Sequence, residues 1–200
     1  MIRQLRAVAK AIRTQLVRAT HPSRRRRALA RLQSAPAAER VLFICLGNVC
    51  RSPYAEYRML QMFEQRDGAI SLPVESAGFI KPGRGSPERA IEVAGERGLD
   101  LSPHTSRVLA QCSVDASTLV AVMEPGQVAG VRREFGRDTR VLVLGDLDPQ
   151  LPDRRLIPDP WGREHDVFRS SFDRIDRCLD QLLACVSLDG DDAQGRQSLR

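Results

Sequence analysis

The 200-residue chain is 42% hydrophobic and only 4% aromatic, enough for one ordinary core, and it holds no uninterrupted apolar stretch of membrane-spanning length. Its five cysteines, at 45, 50, 112, 178 and 185, argue against a disulfide framework, and its three histidines, at 21, 104 and 165, with no CxxC pairs, argue against zinc. Net charge is +6, yet residues 1–40 hold eleven Lys+Arg against Glu39 alone, so the remainder sums to −4 and the basic charge belongs to an N-terminal extension.

In that extension Ile2, Leu5, Ala9, Ile12 and Leu16 recur at helical spacing, with Arg3, Arg6, Lys10, Arg13 and Arg18 on neighbouring faces. His21-Pro22-Ser23 is expected to end this helix, a second one to run from Arg24 to Leu32, and residues 34–38 to form a linker. The expected division is a basic amphipathic helical extension over 1–39, a catalytic domain over 40–187 and a polar tail over 188–200. A basic amphipathic arm suits an anionic membrane surface, here through residues 1–33, or equally a self-packing helix. With no aromatic residue to stack on bases, it gives no expectation of nucleic acid.

Next come five apolar or β-branched residues at 41–45, read as a buried parallel strand, and then Leu46-Gly47-Asn48-Val49-Cys50-Arg51-Ser52-Pro53. Gly-Asn permits unusual backbone angles, while Ser52-Pro53 reads as a helix N-cap with a first-turn proline. The loop from Cys45 therefore lies over a helix N-terminus. The amides of Leu46, Gly47, Asn48, Val49 and Cys50 can turn inward and, with the helix dipole, hold a phosphate-sized dianion. The same donors stabilise a thiolate at Cys45, and Arg51 can fold back to grip two equatorial oxygens of a phosphoryl group.

A helix follows from Pro53 to about Gln65, with Ala55, Met59, Leu60 and Phe63 on its apolar face and Asp67-Gly68 closing it. A second strand is read at 73–77, and a Gly/Pro-rich loop at 78–87 with Phe79, Lys81 and Arg84 should flank the pocket. A helix at 88–98, a strand at 119–123, a helix at 126–135 and a strand at 141–144 complete the alternation. The proline-rich stretch 145–165 is too long for an idle connection, and a last helix is read at 166–185. Strands alternating with helices make an α/β fold: a doubly wound four-stranded parallel sheet flanked by helices, its ligand crevice at the carboxyl ends of the strands.

The run CLGNVCRSP resembles the signature of the low-molecular-weight protein tyrosine phosphatase family, over residues 41–183. The resemblance implies strand order 2-1-3-4, Cys45 as nucleophile, Arg51 as phosphoryl clamp, and the Asp159 of Asp159-Pro160 as general acid, with Asp148-Pro149 as the rival pair. It implies that Asn48, Ser52, Ser76 and His104 support the loop, although Pro103 here separates a Ser and a His that are usually adjacent. Trp161 and Phe79 are expected to wall the pocket around an aromatic ring. Met123-Glu124 and residues 157–161 look more like bacterial members tied to capsule and exopolysaccharide control, whose partners are tyrosine kinases.

The expected activity is thus hydrolysis of protein phosphotyrosine through a cysteinyl phosphate, in the cytoplasm or at the inner membrane face, with no metal and no cofactor. Two other readings use the same residues. An arsenate reductase on this fold would need a further redox cysteine pair midway along the chain, where only Cys112 stands. A non-catalytic module binding phosphorylated partners would leave Asp159 without a task. A disulfide between Cys45 and Cys50 would protect the nucleophile from overoxidation.

Overall fold

The computed structural model describes residues 2–66, 72–150 and 152–195, with the side chains of 2, 3, 10 and 186–195 left aside. The expected helix stop at Asp67-Gly68 lies outside these residues. Four parallel strands, β1 (Arg40–Ile44), β2 (Val74–Ala77), β3 (Thr118–Val122) and β4 (Arg140–Val143), form one sheet in the order β2-β1-β3-β4. β1 is central, with Ile44 in register with Ala77 on one side and Val122 on the other. The chain leaves β1 first toward β2 and later toward β3. The carboxyl end of β1 is therefore the point where connectivity reverses, and Cys45 is the next residue.

The helices are α1 (Ile2–Ser34), α2 (Arg51–Glu64), α3 (Glu88–Gly95), α4 (Gln127–Phe135) and α5 (His165–Gly195). Because strand side chains alternate, the sheet buries two faces. Val41, Phe43, Leu119 and Ala121 pack with α2, α3 and α5, while Leu42, Ile44, Val120 and Val122 pack with Val131 of α4. α2 and α5 are clamped where Tyr54 and Phe172 stack at 3.8 Å and the Tyr54 hydroxyl donates to Asp176 at 2.7 Å. Burial pushes the Tyr54 hydroxyl well above its ordinary value, so it stays a donor.

Several local expectations are corrected. Ser52 does not cap α2: the helix begins at Arg51 and its N-cap residue is Cys50, because the Ser52 hydroxyl is used inside the loop instead. Leu60 is exposed and Met62 takes the buried position, since the buried face of α2 is set by contact with β2 and α5. α5 continues past Cys185 to Gly195.

The largest correction concerns α1, which is one helix running through Pro22. Proline removes an amide hydrogen and crowds the preceding turn. Side chains brace the turn before it: Thr20 Oγ1 donates to the Leu16 carbonyl at 2.6 Å and Arg24 Nη2 to the Val17 carbonyl at 2.9 Å. Tertiary contacts then hold the helix straight on. Ala28, Leu29 and Leu32 pack on the main core, His21 is buried with Nε2 donating to the Asp148 carbonyl at 2.8 Å, and Arg25 donates to the Leu147 carbonyl at 3.3 Å. Leu5, Val8, Ile12 and Leu16 stay exposed. The second half of the extension is thus a docked helix, and the first half projects with an apolar stripe.

Candidate active site

The loop at residues 45–51 closes around the Cys45 sulfur, which accepts from the Asn48 amide at 3.2 Å and from the Ser52 hydroxyl at 3.1 Å. Asn48 takes a left-handed backbone, φ 52°, which is the turn expected of the Gly-Asn pair. Its side chain is the hub of the loop: Nδ2 donates to Ser52 Oγ at 3.0 Å and to Ser76 Oγ at 2.7 Å, and Oδ1 accepts from the Arg107 amide at 2.8 Å. His104 Nε2 donates to the Asn48 carbonyl at 2.8 Å, so Pro103 does not displace it. All four predicted support residues meet. Burial lowers the His104 imidazole from its ordinary value, which keeps the ring neutral.

Among the described residues, the amides of Leu46, Gly47, Val49, Cys50, Arg51 and Ser52 have no hydrogen-bond acceptor. These six donors ring a thiol at the start of α2, so an anion is the natural occupant. Gly78 permits the close packing that shapes the ring, because a Cβ there would lie 2.8 Å from the Asn48 nitrogen and from the Leu46 oxygen. Sequence spacing gives no hint of that contact.

Arg51 is buried at 1% exposure. Nη1 donates to Glu124 Oε1 at 2.8 Å and to the Ile157 carbonyl at 2.9 Å, Nη2 pairs with Asp159 Oδ2 at 2.8 Å, and Nε has no partner. Asp159 is half-exposed and stands at the mouth of the loop, where its Oδ1 also accepts from the Trp161 amide at 3.2 Å. The rival Asp148 is buried elsewhere, paired with Arg174 at 2.9 Å and Arg177 at 3.1 Å, and reaches no part of the loop.

Of the two aromatic residues expected to wall the pocket, Trp161 is exposed on the rim, with the Arg84 guanidinium 6.0 Å from its ring centre. Phe79 is turned away: its ring packs beside Gly130 of α4 and the second core cluster, and only its backbone touches the site, donating to the Leu46 carbonyl at 2.8 Å. Arg84, on the loop expected to flank the pocket, donates to the Gly47 carbonyl at 2.9 Å; sequence reasoning missed Glu56, which accepts from Ser76 at 2.5 Å. Burial raises the Glu56 carboxyl. Charged residues on exposed-looking helix turns carry no signal of such burial.

Cys50 is buried beside Cys45, and burial first, then the nearby charges of Cys45 and Asp159, push its thiol far up. Both cysteines are free thiols. Cys112 is half-buried on the far sheet face, against the second core cluster. Among the described residues no three His, Cys, Asp or Glu side chains group to hold a metal ion, and no helix is long and apolar enough to cross a membrane.

The family model of low molecular weight phosphotyrosine protein phosphatase matches residues 40–192. Wzb of Escherichia coli K12, a low molecular weight protein-tyrosine-phosphatase, is 31% identical over 70% of this chain and 90% of its own length. The protein-arginine-phosphatase of Bacillus subtilis is 28% identical over 71% of this chain and 93% of its own length. Among solved structures, the tyrosine phosphatase amsI of Erwinia amylovora shares the fold, with TM-score 0.62 and 22% identity over 76% of this chain and 95% of that one. On this evidence the chain belongs to the low molecular weight phosphotyrosine protein phosphatase family.

Proposed function

We propose that the protein hydrolyses protein phosphotyrosine in two steps at Cys45. The six free amides of the loop and the unpartnered Nε of Arg51 carry this reading, because together they offer donors on every side of a tetrahedral phosphoryl group poised over one sulfur. The Cys45 thiolate attacks phosphorus while the Asp159 carboxylic acid protonates the departing phenol oxygen. Asp159, now a carboxylate, then takes a proton from water as it attacks the cysteinyl phosphate, releasing inorganic phosphate and the thiolate. Arg51 serves both transition states through its planar donors, exchanging its pairing with Asp159 for the phosphoryl oxygens. Ser52 holds the sulfur in the leaving position.

The rim favours an aromatic phosphomonoester. Trp161 offers a ring face to a phenol, and the Arg84 cation beside it would repel the guanidinium of a phosphoarginine. A bacterial tyrosine kinase is the proposed partner, in keeping with the Wzb relatives. The projecting half of α1 adds a second reading: Leu5, Val8, Ile12 and Leu16 are exposed on a helix with Arg6 and Arg13 and no acid, which suits peripheral contact with an anionic membrane.

Turnover of phosphotyrosine and phosphoarginine peptides by wild type and Cys45→Ser tests the assignment. Wild type should prefer phosphotyrosine, and the variant should lose kcat by about 10³-fold or more. Equal rates on both peptides would remove the substrate assignment; residual activity near wild type would remove Cys45.

A further inference from the structure

β4 is an edge strand, paired only with β3. Among the described residues no other segment bonds the backbone of residues 141–143, so half of its peptide groups face outward unpaired. The edge is not bare. It floors a cleft of about 630 Å³, walled on one sheet face by the second half of α1 and on the other by α4. Ala28, Leu32, Val128 and Val141 line it with apolar surface, and Arg27, Arg31, Arg132 and Arg140 line it with charge. Among the described residues none of these four arginines has a carboxylate partner, whereas Arg24 and Arg155 at the far end both pair with Asp146.

We infer that this cleft binds an extended acidic segment of a protein partner, which adds to the sheet beside β4. An added strand presents alternate side chains to the two faces, so one set meets Arg27 and Arg31 on α1 and the other meets Arg132 on α4. The spacing fits. Arg27 and Arg31 are one helical turn apart, a rise of about 6 Å, and side chains two residues apart on a strand are separated by about 6.6 Å. α1 also runs along β4: Arg24 pairs with Asp146 just past the end of the strand, while Ala35 lines the cleft with Thr139 and Arg140 at its start. Backbone pairing supplies the affinity, and Arg27 and Arg31, which share one face, select acids at alternate positions. Edge protection by charge alone would need no apolar floor and would not require the four cations to be free of partners. This inference does not depend on the phosphatase reading.

The test uses the full chain and a fluorescein-labelled peptide of alternating Glu and Thr, compared with the same peptide N-methylated at alternate residues to block strand pairing. The unmodified peptide should bind, the methylated one at least about ten-fold more weakly. Hydrogen exchange at residues 141–143 should slow in the complex. Arg31→Glu with Arg132→Glu should weaken binding by at least about ten-fold while leaving turnover of p-nitrophenyl phosphate unchanged. Equal binding of the methylated peptide, or displacement by inorganic polyphosphate with no protection of β4, would reduce the cleft to a charged patch and overturn the inference. Failure of the peptide to bind, or binding confined to phosphatidylglycerol vesicles, would overturn it as well.

Discussion

Arg51 and Asp159 are joined at 2.8 Å across the mouth of the loop, although one is buried and the other half-exposed. The pairing places the proposed acid beside the clamp before substrate arrives, and it separates Asp159 from Asp148, which is spent on Arg174 and Arg177. A phosphoryl group entering the ring competes for the same guanidinium, so Asp159 is released toward the leaving oxygen as the substrate seats.

Asp159→Asn should therefore slow phenyl phosphate by about 10²-fold or more, and p-nitrophenyl phosphate far less, since a good leaving group needs little protonation. Paired steady-state rates on the two esters check this. Equal losses on both, or a larger loss in Asp148→Asn, would move the acid elsewhere.

Asn48→Ala removes three side-chain bonds at once, to Ser52, Ser76 and the Arg107 amide. The loop then loses its left-handed anchor. kcat should fall by roughly 10–100-fold, with weaker vanadate inhibition, because the donors are displaced from the sulfur. An unaltered vanadate constant would show that the ring holds its shape without Asn48.

Peroxide should convert Cys45 to a sulfenic acid that the neighbouring Cys50 thiol attacks, expelling water and forming a disulfide. Burial keeps Cys50 protonated and hence idle until that oxidation occurs. Wild type should recover activity with dithiol after peroxide, and Cys50→Ala should recover much less. Equal recovery would leave Cys50 a packing residue.

Stability should carry a histidine signature. The folded value of His104 lies below the ordinary 6.5, so below that pH the unfolded chain binds a proton that the fold refuses. Its stabilising share is complete above about pH 6.5 and is lost as pH falls through the folded value. His104→Gln keeps a donor for the Asn48 carbonyl yet does not titrate, so the difference between the two denaturation curves should narrow on acidification. A constant difference from pH 7.5 to 5 would place the proton elsewhere.

Removal of residues 1–33 should lower Tm by roughly 5 °C or more, because His21, Leu29 and Leu32 leave a buried interface. Vesicle sedimentation separates the projecting half: full-length protein should bind phosphatidylglycerol vesicles and release them at high salt, since the arginine–lipid attraction is screened over about 8 Å at physiological ionic strength. No binding by the full chain would leave α1 a structural strut alone.

Although the helix start was read at Ser52 and lies at Cys50-Arg51, the order of strands and helices along the chain and the turn of the Cys45 loop were legible in the sequence, because strand and turn have local signatures there. Asn48 at φ 52° is such a case: Gly-Asn announces the turn before any contact is known. What was not legible depended on distant partners. Pro22 reads as a stop, and only the docking of His21 and Arg25 on residues 147 and 148 carries the helix past it. Phe79 reads as a wall of the pocket, yet the absence of a side chain at Gly130 opens the space that receives its ring. Glu56 becomes a site residue only once β2 packs over α2 and brings Ser76 to it.

Trp161 is the single tryptophan of the chain, and it stands on the rim of the site with a guanidinium 6.0 Å from its ring. All indole emission of the protein therefore arises at the entrance to the catalytic loop. Its intensity and wavelength respond to whatever displaces Arg84 or covers the ring, so a ligand titration can be followed by intrinsic fluorescence without any label. The unfolding of residues far from the entrance remains dark to the same light until the rim itself comes apart.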